Sequence, residues 1–168
     1  MATISSVRTN LLDSILPTYG NPRINAPIWN ESQRMFITDQ YTSAAGHTYY
    51  LGVRFSDRFV TILHIGLYHN WTYINEVEVY AFDEHERKLI GKTSVDKYYN
   101  EDLVRSTTEK LLHDYIEGQM KLNGSVIDRK QLTAQVKELV DRSYVSMLGD
   151  ANTARRLEAV KPLLIAKK

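Results

Sequence analysis

The sequence contains no cysteine, which excludes disulfide bonds, thiol nucleophiles and metal sites built from thiolates. It has four prolines and eight glycines among 168 residues, so few positions interrupt regular structure. No apolar stretch approaches the roughly 20 residues that cross a bilayer, and the first residues lack the pattern of a secretion signal. We therefore expect no membrane contact and a cytoplasmic location, or a place within a particle assembled in the cytoplasm.

An excess of either charge is also lacking. Lys and Arg number 21 against 20 Asp and Glu, so the whole chain has no field that would attract nucleic acid or a membrane. The exception is the segment 150–168, where five basic residues stand against two acidic ones. This contrast predicts a basic C-terminal tail on an otherwise nearly neutral protein.

The apolar pattern divides the chain into three parts. Residues 1–45 predict an N-terminal arm with a short helix, residues 46–149 a single α+β domain, and residues 150–168 a short helix and the basic tail. The arm between 17 and 45 has largely irregular backbone but is too apolar for a solvated linker. We expect it to lie against its own sheet or against a neighbouring subunit.

The domain itself reads as an antiparallel four-stranded meander followed by two long helices. Four segments are rich in β-branched and aromatic residues: 47–55, 58–68, 71–82 and 87–94. The first two breaks between them have the length of two-residue hairpin loops. Apolar stripes then predict helices over 100–122 and 128–148, with Asn100 and Asp128 as N-caps. We expect both helices to pack on one face of the sheet.

The hairpin loops also predict which side chains share a face. Pairing Phe55 with Arg58 and Tyr68 with Trp71 gives a first face that we expect the helices to cover: Tyr49, Leu51, Val53, Phe55, Val60, Ile62, Val77, Val79, Ala81 and Leu89. The second face carries another apolar set: Tyr50, Phe59, Leu63, Ile65, Leu67, Ile74, Tyr80, Phe82 and Ile90. An exposed patch of this size is larger than monomers usually tolerate.

This apolar surplus favours association as the function. The leading hypothesis is a non-enzymatic structural or protein-interaction subunit of a larger assembly, such as a viral or phage particle. Its partners would be other proteins or copies of itself, and we infer no cofactor, metal or small-molecule ligand. The predicted interaction residues are Trp29, Phe36, Tyr50, Phe59, Leu63, Ile65, Leu67, Tyr80 and Phe82.

A nucleic-acid-binding module is the alternative hypothesis. The second face combines aromatic rings with basic side chains, as a stacking platform for bases requires. Glu76 and Glu78 are predicted on the same face and would repel phosphates, which weakens the nucleic-acid hypothesis. The basic residues of the alternative are Arg54, Lys88, Lys92, Arg155, Arg156, Lys167 and Lys168.

The histidines suggest metal binding, but each has a simpler explanation. His64 is predicted within a strand and His69 in a turn, so the two do not share a site. The segment 83–86 offers nitrogen and oxygen ligands, yet consecutive turn residues do not converge on one ion. His113 lies between two glutamates on the polar face of a helix, where solvated side chains are the ordinary case.

Two carboxylates have a spacing that suits paired acid–base chemistry. Glu76 and Glu78 are two apart on one strand and therefore share a face. The register predicts Glu78 opposite Lys92, which makes a cross-strand ion pair the simpler explanation. An enzyme that uses His64, Asn75 and Glu76 is a third hypothesis, and a solvent-connected pocket at His64 would favour it over a sealed core.

Overall fold

The computed structural model describes residues 28–38, 40–82 and 87–145. The described elements are β1 (Ile28–Asn30), β2 (Met35–Ile37), β3 (Tyr41–Thr42), β4 (Thr48–Ser56), β5 (Phe59–Tyr68), β6 (Trp71–Phe82), β7 (Arg87–Tyr98), α1 (Glu101–Leu122) and α2 (Arg129–Arg142). An antiparallel sheet joined to two helices confirms the predicted α+β class. The predicted short N-terminal helix, the tip at 83–86 and the C-terminal tail lie outside the described residues.

The sheet is larger than the predicted meander. Its strand order is β1-β2-β4-β5-β6-β7, and β3 pairs with one end of β4. The strands β4 to β7 are the predicted four. The added strands β1 and β2 come from the segment predicted to be irregular, and Phe36 of β2 pairs with Val53 of β4. They span three residues each, which is too short for an alternating pattern to show in the sequence.

The first hairpin differs from the predicted register by two residues. Phe55 pairs with Val60 rather than with Arg58, so the loop is Asp57-Arg58. Asp57 has a φ of 48°, in the left-handed region that tight hairpin loops use. Because side chains alternate with a period of two, an even shift leaves every side chain of β4 and β5 on its predicted face.

The second hairpin has the predicted register at its loop, but the pairing shifts further along. Ile65 pairs with Ile74, whereas His64 pairs with Glu76. Asn75 is therefore an extra residue in β6, which is a β-bulge. Beyond a single extra residue, every following side chain of the strand turns to the opposite face.

Because of the bulge, the side chains of β6 after Asn75 lie on the opposite side of the sheet from the one predicted. Leu63 now pairs with Val77, and Ile62 pairs with Glu78. The prediction that Val77 and Val79 share a face with Ile62 was wrong, because it assumed an uninterrupted register.

Both helices pack on one side of the sheet, as predicted, but the predicted side was wrong. We call the side that contacts α1 and α2 the helix side, and the opposite one the far side. The core on the helix side joins Tyr50, Phe59, Leu63, Ile65, Ile74, Val77 and Val79 of the sheet to Val104, Leu112, Leu132, Val136 and Val140 of the helices. This is the second face of the prediction up to the bulge. Beyond the bulge, Val77 and Val79 face the helices and Tyr80 turns to the far side.

The expected exposed apolar patch is consequently missing from the described part of the sheet. Of the predicted interaction residues, those buried within the chain are Phe36, Tyr50, Phe59, Leu63, Ile65 and Tyr80. Trp29 and Leu67 are partly buried, and the side chain of Phe82 lies outside the described residues. The expectation of a free apolar face at these positions was wrong. The helices cover Tyr50, Phe59, Leu63 and Ile65, while Phe36 and Tyr80 are buried on the far side, where they pair with Val53 and Val60. Association as such stays a prediction.

The helix N-caps confirm the sequence signals. The Asn100 side chain accepts a hydrogen bond from the Leu103 amide, and the Asp128 side chain accepts from the amides of Lys130 and Gln131. Neither described helix has the length and apolar composition that crossing a membrane requires.

A buried arginine joins the β1–β2 turn, β4, the start of α1 and the segment that follows α2. The side chain of Arg54 is 2% exposed, and its guanidinium lies 2.8 Å from the Glu101 carboxylate. It also donates to the backbone carbonyls of Gln33 at 2.6 Å and Arg34 at 3.0 Å, and it lies 3.9 Å from the centre of the Tyr144 ring. Such a charge is tolerated because its donors are paired and its flat face is stacked.

The carboxylate of this pair is held ionised. Burial alone would raise the pKa of Glu101, but Arg54 and the hydroxyls of Tyr144 and Tyr99 outweigh it and lower the pKa. The Tyr99 hydroxyl donates to Glu101 at 2.6 Å, and Tyr144 donates to the other carboxylate oxygen. The start of α1 is thereby fixed to β4.

We expect Arg54→Ala to lower the free energy of unfolding by about 3 kcal/mol in urea denaturation. This is the lower end of the range for breaking a buried ion pair, because the Glu101 side chain is 39% exposed. The control is Arg142→Ala, which removes ion pairs with Asp57 and Glu138 between side chains that are at least half exposed. Equal losses in the two variants would contradict a special role for the buried arginine.

The lowered pKa of Glu101 also predicts a pH dependence. Its ionised form stabilises the folded state above the ordinary glutamate pKa of 4.5, and this part is lost as the pH falls through the lower folded value. We therefore expect the stability difference between wild type and Glu101→Gln to be full at pH 6 and to shrink below pH 4.5. A difference that stays constant down to pH 3 would be inconsistent with this ion pair.

Candidate functional site

The far side of the sheet carries the polar and aromatic candidates side by side. One part is apolar and buried, and includes Leu51, Val53, Val60 and Ile62. Next to it lies a group that we call the polar cluster: His64, Glu76, Glu78, Tyr80 and Lys92. At one end of the strands lies a group that we call the aromatic row: His47, Tyr49, Tyr68, Trp71, Tyr73 and Tyr98.

The polar cluster exists because of the bulge. Asn75 turns Glu76 and Glu78 to the far side, where Glu76 pairs directly with His64. Nε2 of His64 contacts Oε1 of Glu78 and lies 3.9 Å from Oε2 of Glu76. The other oxygen of Glu76 lies 3.9 Å from Nζ of Lys92. The imidazole of His64 on β5 is thus held beside two carboxylates of the adjacent strand β6.

Burial differs sharply within the cluster. The Glu78 side chain is 4% exposed, while those of His64 and Glu76 are 33% and 28% exposed. The Tyr80 hydroxyl donates to Oε2 of Glu78 at 3.0 Å. Burial and the negative charges of Glu78 and Glu76 raise the pKa of Tyr80, so its hydroxyl remains a neutral donor. One edge of the cluster is therefore buried and fixed, and the other is reached by solvent.

The nitrogen and oxygen atoms of these side chains can bind a metal ion as well as a proton. The ligand atoms of His64, Glu76 and Glu78 all lie within 4.8 Å of one another. The sequence predicted Glu78 opposite Lys92, and this pairing is confirmed. It missed the convergence with His64, because without the bulge the two glutamates lie on the other side of the sheet.

The trio of the enzyme hypothesis does not converge. Asn75 Nδ2 donates to the hydroxyl of Tyr68 at 3.3 Å instead of meeting His64. His64 itself does not lie in a sealed core, since a third of its side chain is exposed. The enzyme hypothesis stays a prediction.

The aromatic row is built from aligned positions on four strands. Tyr49, Gly66, Tyr73 and Tyr98 pair consecutively across β4, β5, β6 and β7. The ring of Tyr68 lies over Gly66, where an added Cβ would stand 2.8 Å from Cε2 of that ring. Only a glycine leaves room for the tyrosine to lie flat across β5.

Tyr68 is the centre of the row. Its ring centroid lies 5.2 Å from that of His47, 6.2 Å from that of Tyr49 and 5.1 Å from that of Tyr73, each in a steep edge contact. A hydrogen bond with Tyr68, together with burial, raises the pKa of Tyr49 to about 12. Ring contacts and hydroxyl hydrogen bonds therefore hold these side chains against each other.

The outer end of the row is exposed. Tyr73 stacks on Tyr98 with centroids 4.6 Å apart, and Trp71 meets Tyr98 at 5.5 Å. Trp71 is 60% exposed and Tyr98 is 57% exposed. A groove of about 560 Å³ runs from Tyr73 and Tyr98 past Asp96 and Lys97 to the start of α1. This end has the concave shape and mixed chemistry of a binding surface.

The structure separates the basic residues that the sequence grouped together. Arg54 is buried in its ion pair with Glu101. Lys88 pairs with Ala81, which packs on the helix side, whereas Lys92 pairs with Glu78 on the far side. The expectation that the three share one face was wrong, because it assumed the uninterrupted register. The basic residues Arg155, Arg156, Lys167 and Lys168 lie outside the described residues.

The other histidine candidates stand alone in the described part of the chain. His69 is exposed in the second hairpin loop, with a φ of 50°. His113 Nδ1 lies 3.4 Å from Glu117, whose carboxylate also lies close to Lys121 and Arg129. Neither imidazole meets a second carboxylate as His64 does.

Comparison with known proteins adds no further constraint. No protein-family model, no curated protein and no solved structure matches the chain. The polar cluster and the aromatic row are therefore the features from which we infer a function.

Proposed function

We propose that the protein is a non-enzymatic subunit of a larger protein assembly and that it associates with a second copy of itself through the aromatic row. The observation that carries this proposal is the exposure of Trp71 and Tyr98 in contact with each other. Tryptophan and tyrosine are enriched among the residues that contribute most to protein–protein binding. Because the rings already restrict one another, less side-chain freedom would be lost on association.

The charges beside the rings favour a second copy as the partner. Asp96 and Lys97 precede Tyr98 directly, and both line the same groove. In a contact with two-fold symmetry the same patch meets itself, so Asp96 of each copy can face Lys97 of the other. One patch thereby supplies both signs of charge that a self-complementary contact requires.

The edge of the sheet is less suited to this role. β7 ends the described sheet and has an exposed row of side chains, including Lys92 and Lys97. Its pairing with β6 is interrupted twice. Lysines and bulges are the features that protect a strand edge against pairing with another chain. Contact through the rings is therefore the better-supported mode.

We expect wild-type protein to be a dimer at micromolar concentration and the double variant Trp71→Ser, Tyr98→Ser to be a monomer. Loss of two central rings should raise the dissociation constant by at least about 100-fold, since such residues contribute 1–2 kcal/mol or more each. Light scattering coupled to size-exclusion chromatography measures the mass directly.

The matched control is Leu122→Ser, which removes an apolar side chain that is 80% exposed at the end of α1. It should leave the dimer intact. A monomeric wild type at 100 µM, or a dimer that survives the double substitution, would rule out this interface.

Single-stranded nucleic acid is a second candidate ligand for the same rings. The stacked pair of Tyr73 and Tyr98, with Lys97 beside it, resembles the platforms on which bases stack. The charge of the site argues against it, because Asp96 and the two carboxylates of the polar cluster lie on or near this side. The described surface lacks the continuous basic groove that follows a phosphate backbone.

We therefore expect a fluorescein-labelled single-stranded oligonucleotide to show no salt-dependent binding to the full chain. Fluorescence anisotropy at 50 mM and 200 mM salt measures this. Binding that weakens steeply with salt and is lost on Tyr98→Ser would establish the nucleic-acid alternative in place of self-association.

A further inference from the structure

The self-association that we propose leaves the polar cluster without a role. Its three ligand-bearing side chains are fixed by paired strands, and the bulge at Asn75 aims Glu76 and Glu78 at His64. Bulges are frequent next to functional sites, where they re-aim a side chain. An arrangement of one imidazole and two carboxylates is also more than the cross-strand pairing of Glu78 with Lys92 requires.

We propose that His64, Glu76 and Glu78 form a binding site for a divalent transition metal ion such as Zn²⁺. One nitrogen and two carboxylate oxygens are ligands that zinc accepts, and three protein ligands leave a fourth position for water. This site is independent of the aromatic row and of the dimer that it would form.

The spacing of the ligand atoms suits an ion of this size. Bonds of about 2.0–2.2 Å to a tetrahedral ion place neighbouring ligand atoms roughly 3–4 Å apart. Nε2 of His64 already lies 3.9 Å from Oε2 of Glu76. His64 and Glu78 are in direct hydrogen-bond contact, so they would separate by roughly 1 Å to admit the ion.

A supporting hydrogen bond orients one of the ligands. The Tyr80 hydroxyl donates to Oε2 of Glu78, which leaves Oε1 directed at His64. Hydrogen bonds to a ligating group of this kind commonly fix its orientation in metal sites. The partial exposure of His64 and Glu76 provides the route by which an ion reaches the buried carboxylate.

The competing explanation is a network of ion pairs without metal. Lys92 lies 3.9 Å from Oε1 of Glu76, and its side chain is 55% exposed. An ammonium group at this distance opposes a second cation and also satisfies part of the carboxylate charge. The two explanations differ in what removal of Lys92 should do to metal affinity. A metal site should bind its ion more tightly, whereas a network of ion pairs should bind no ion with or without Lys92.

The test is isothermal titration of the full chain with Zn²⁺ at pH 7.5. Wild type should bind one ion per chain, and His64→Gln should weaken the affinity at least about 100-fold. Tyr80→Phe should weaken it about tenfold, because only the supporting hydrogen bond is lost. Lys92→Gln should strengthen it.

The matched control is His113→Gln, which removes an imidazole that also contacts a glutamate but meets no second carboxylate in the described structure. Its affinity should equal that of wild type. As a second readout, saturating Zn²⁺ should raise the melting temperature of wild type and of this control but not of His64→Gln. Glu76→Gln, which keeps the imidazole, tests the same site if His64→Gln does not fold.

Failure of wild type to bind one Zn²⁺ at millimolar concentration would overturn the proposal. Equal binding by wild type, His64→Gln and Glu76→Gln would overturn it too, because the ion would then be held elsewhere.

Discussion

One extra residue in β6, Asn75, determines which side chains share each side of the sheet. The residues before it keep the register set by the second hairpin loop, and those after it are turned over. Val77 and Val79 are thereby directed towards α1 and α2, where they are fully buried. Glu76 and Glu78 are directed to the other side, where they meet His64. The hydrophobic core and the polar cluster are thus two consequences of a single local irregularity.

The two sides of the sheet consequently differ in chemistry. The helix side is a continuous apolar core, and burial of each large side chain there contributes roughly 1.5–3 kcal/mol. The far side combines buried aliphatic residues with a histidine–carboxylate cluster and a row of aromatic rings. The exposure of the charged side chains differs as well. Arg54 is buried and paired, while His64 and Glu76 are partly exposed to solvent. Binding functions are therefore best sought on the far side.

Much of the fold follows from the sequence. The α+β class, the order of β4 to β7, the loop of the second hairpin and both helix N-caps were predictable from alternation, turn length and capping residues. The position of Glu78 opposite Lys92 was also correct. The short strands β1 and β2 were missed, because three residues are too few to show a period of two. The register of the first hairpin was predicted wrongly by two residues, an even shift that left the faces unchanged.

The side that the helices cover could not be read from the predicted register. Both faces of β4 and β5 are strongly apolar, so composition alone does not distinguish them. A signal was nevertheless present in β6, where Ile74 is followed by Val77 and Val79. The apolar positions change from even to odd numbers there, and such a break in alternation is typical of a bulge. The candidate site was missed for the same reason, since its three ligand-bearing residues share a side only after that break.

Cross-strand backbone NOEs between β5 and β6 in isotope-labelled protein would show directly whether Asn75 forms the bulge. The structure predicts that Leu63 lies opposite Val77 and Ile62 opposite Glu78, with the register changing between Ile65 and His64. An uninterrupted register, in which Ile62 lies opposite Val77, would contradict it. The helices would then have to cover the other side, and His64 would be separated from both glutamates.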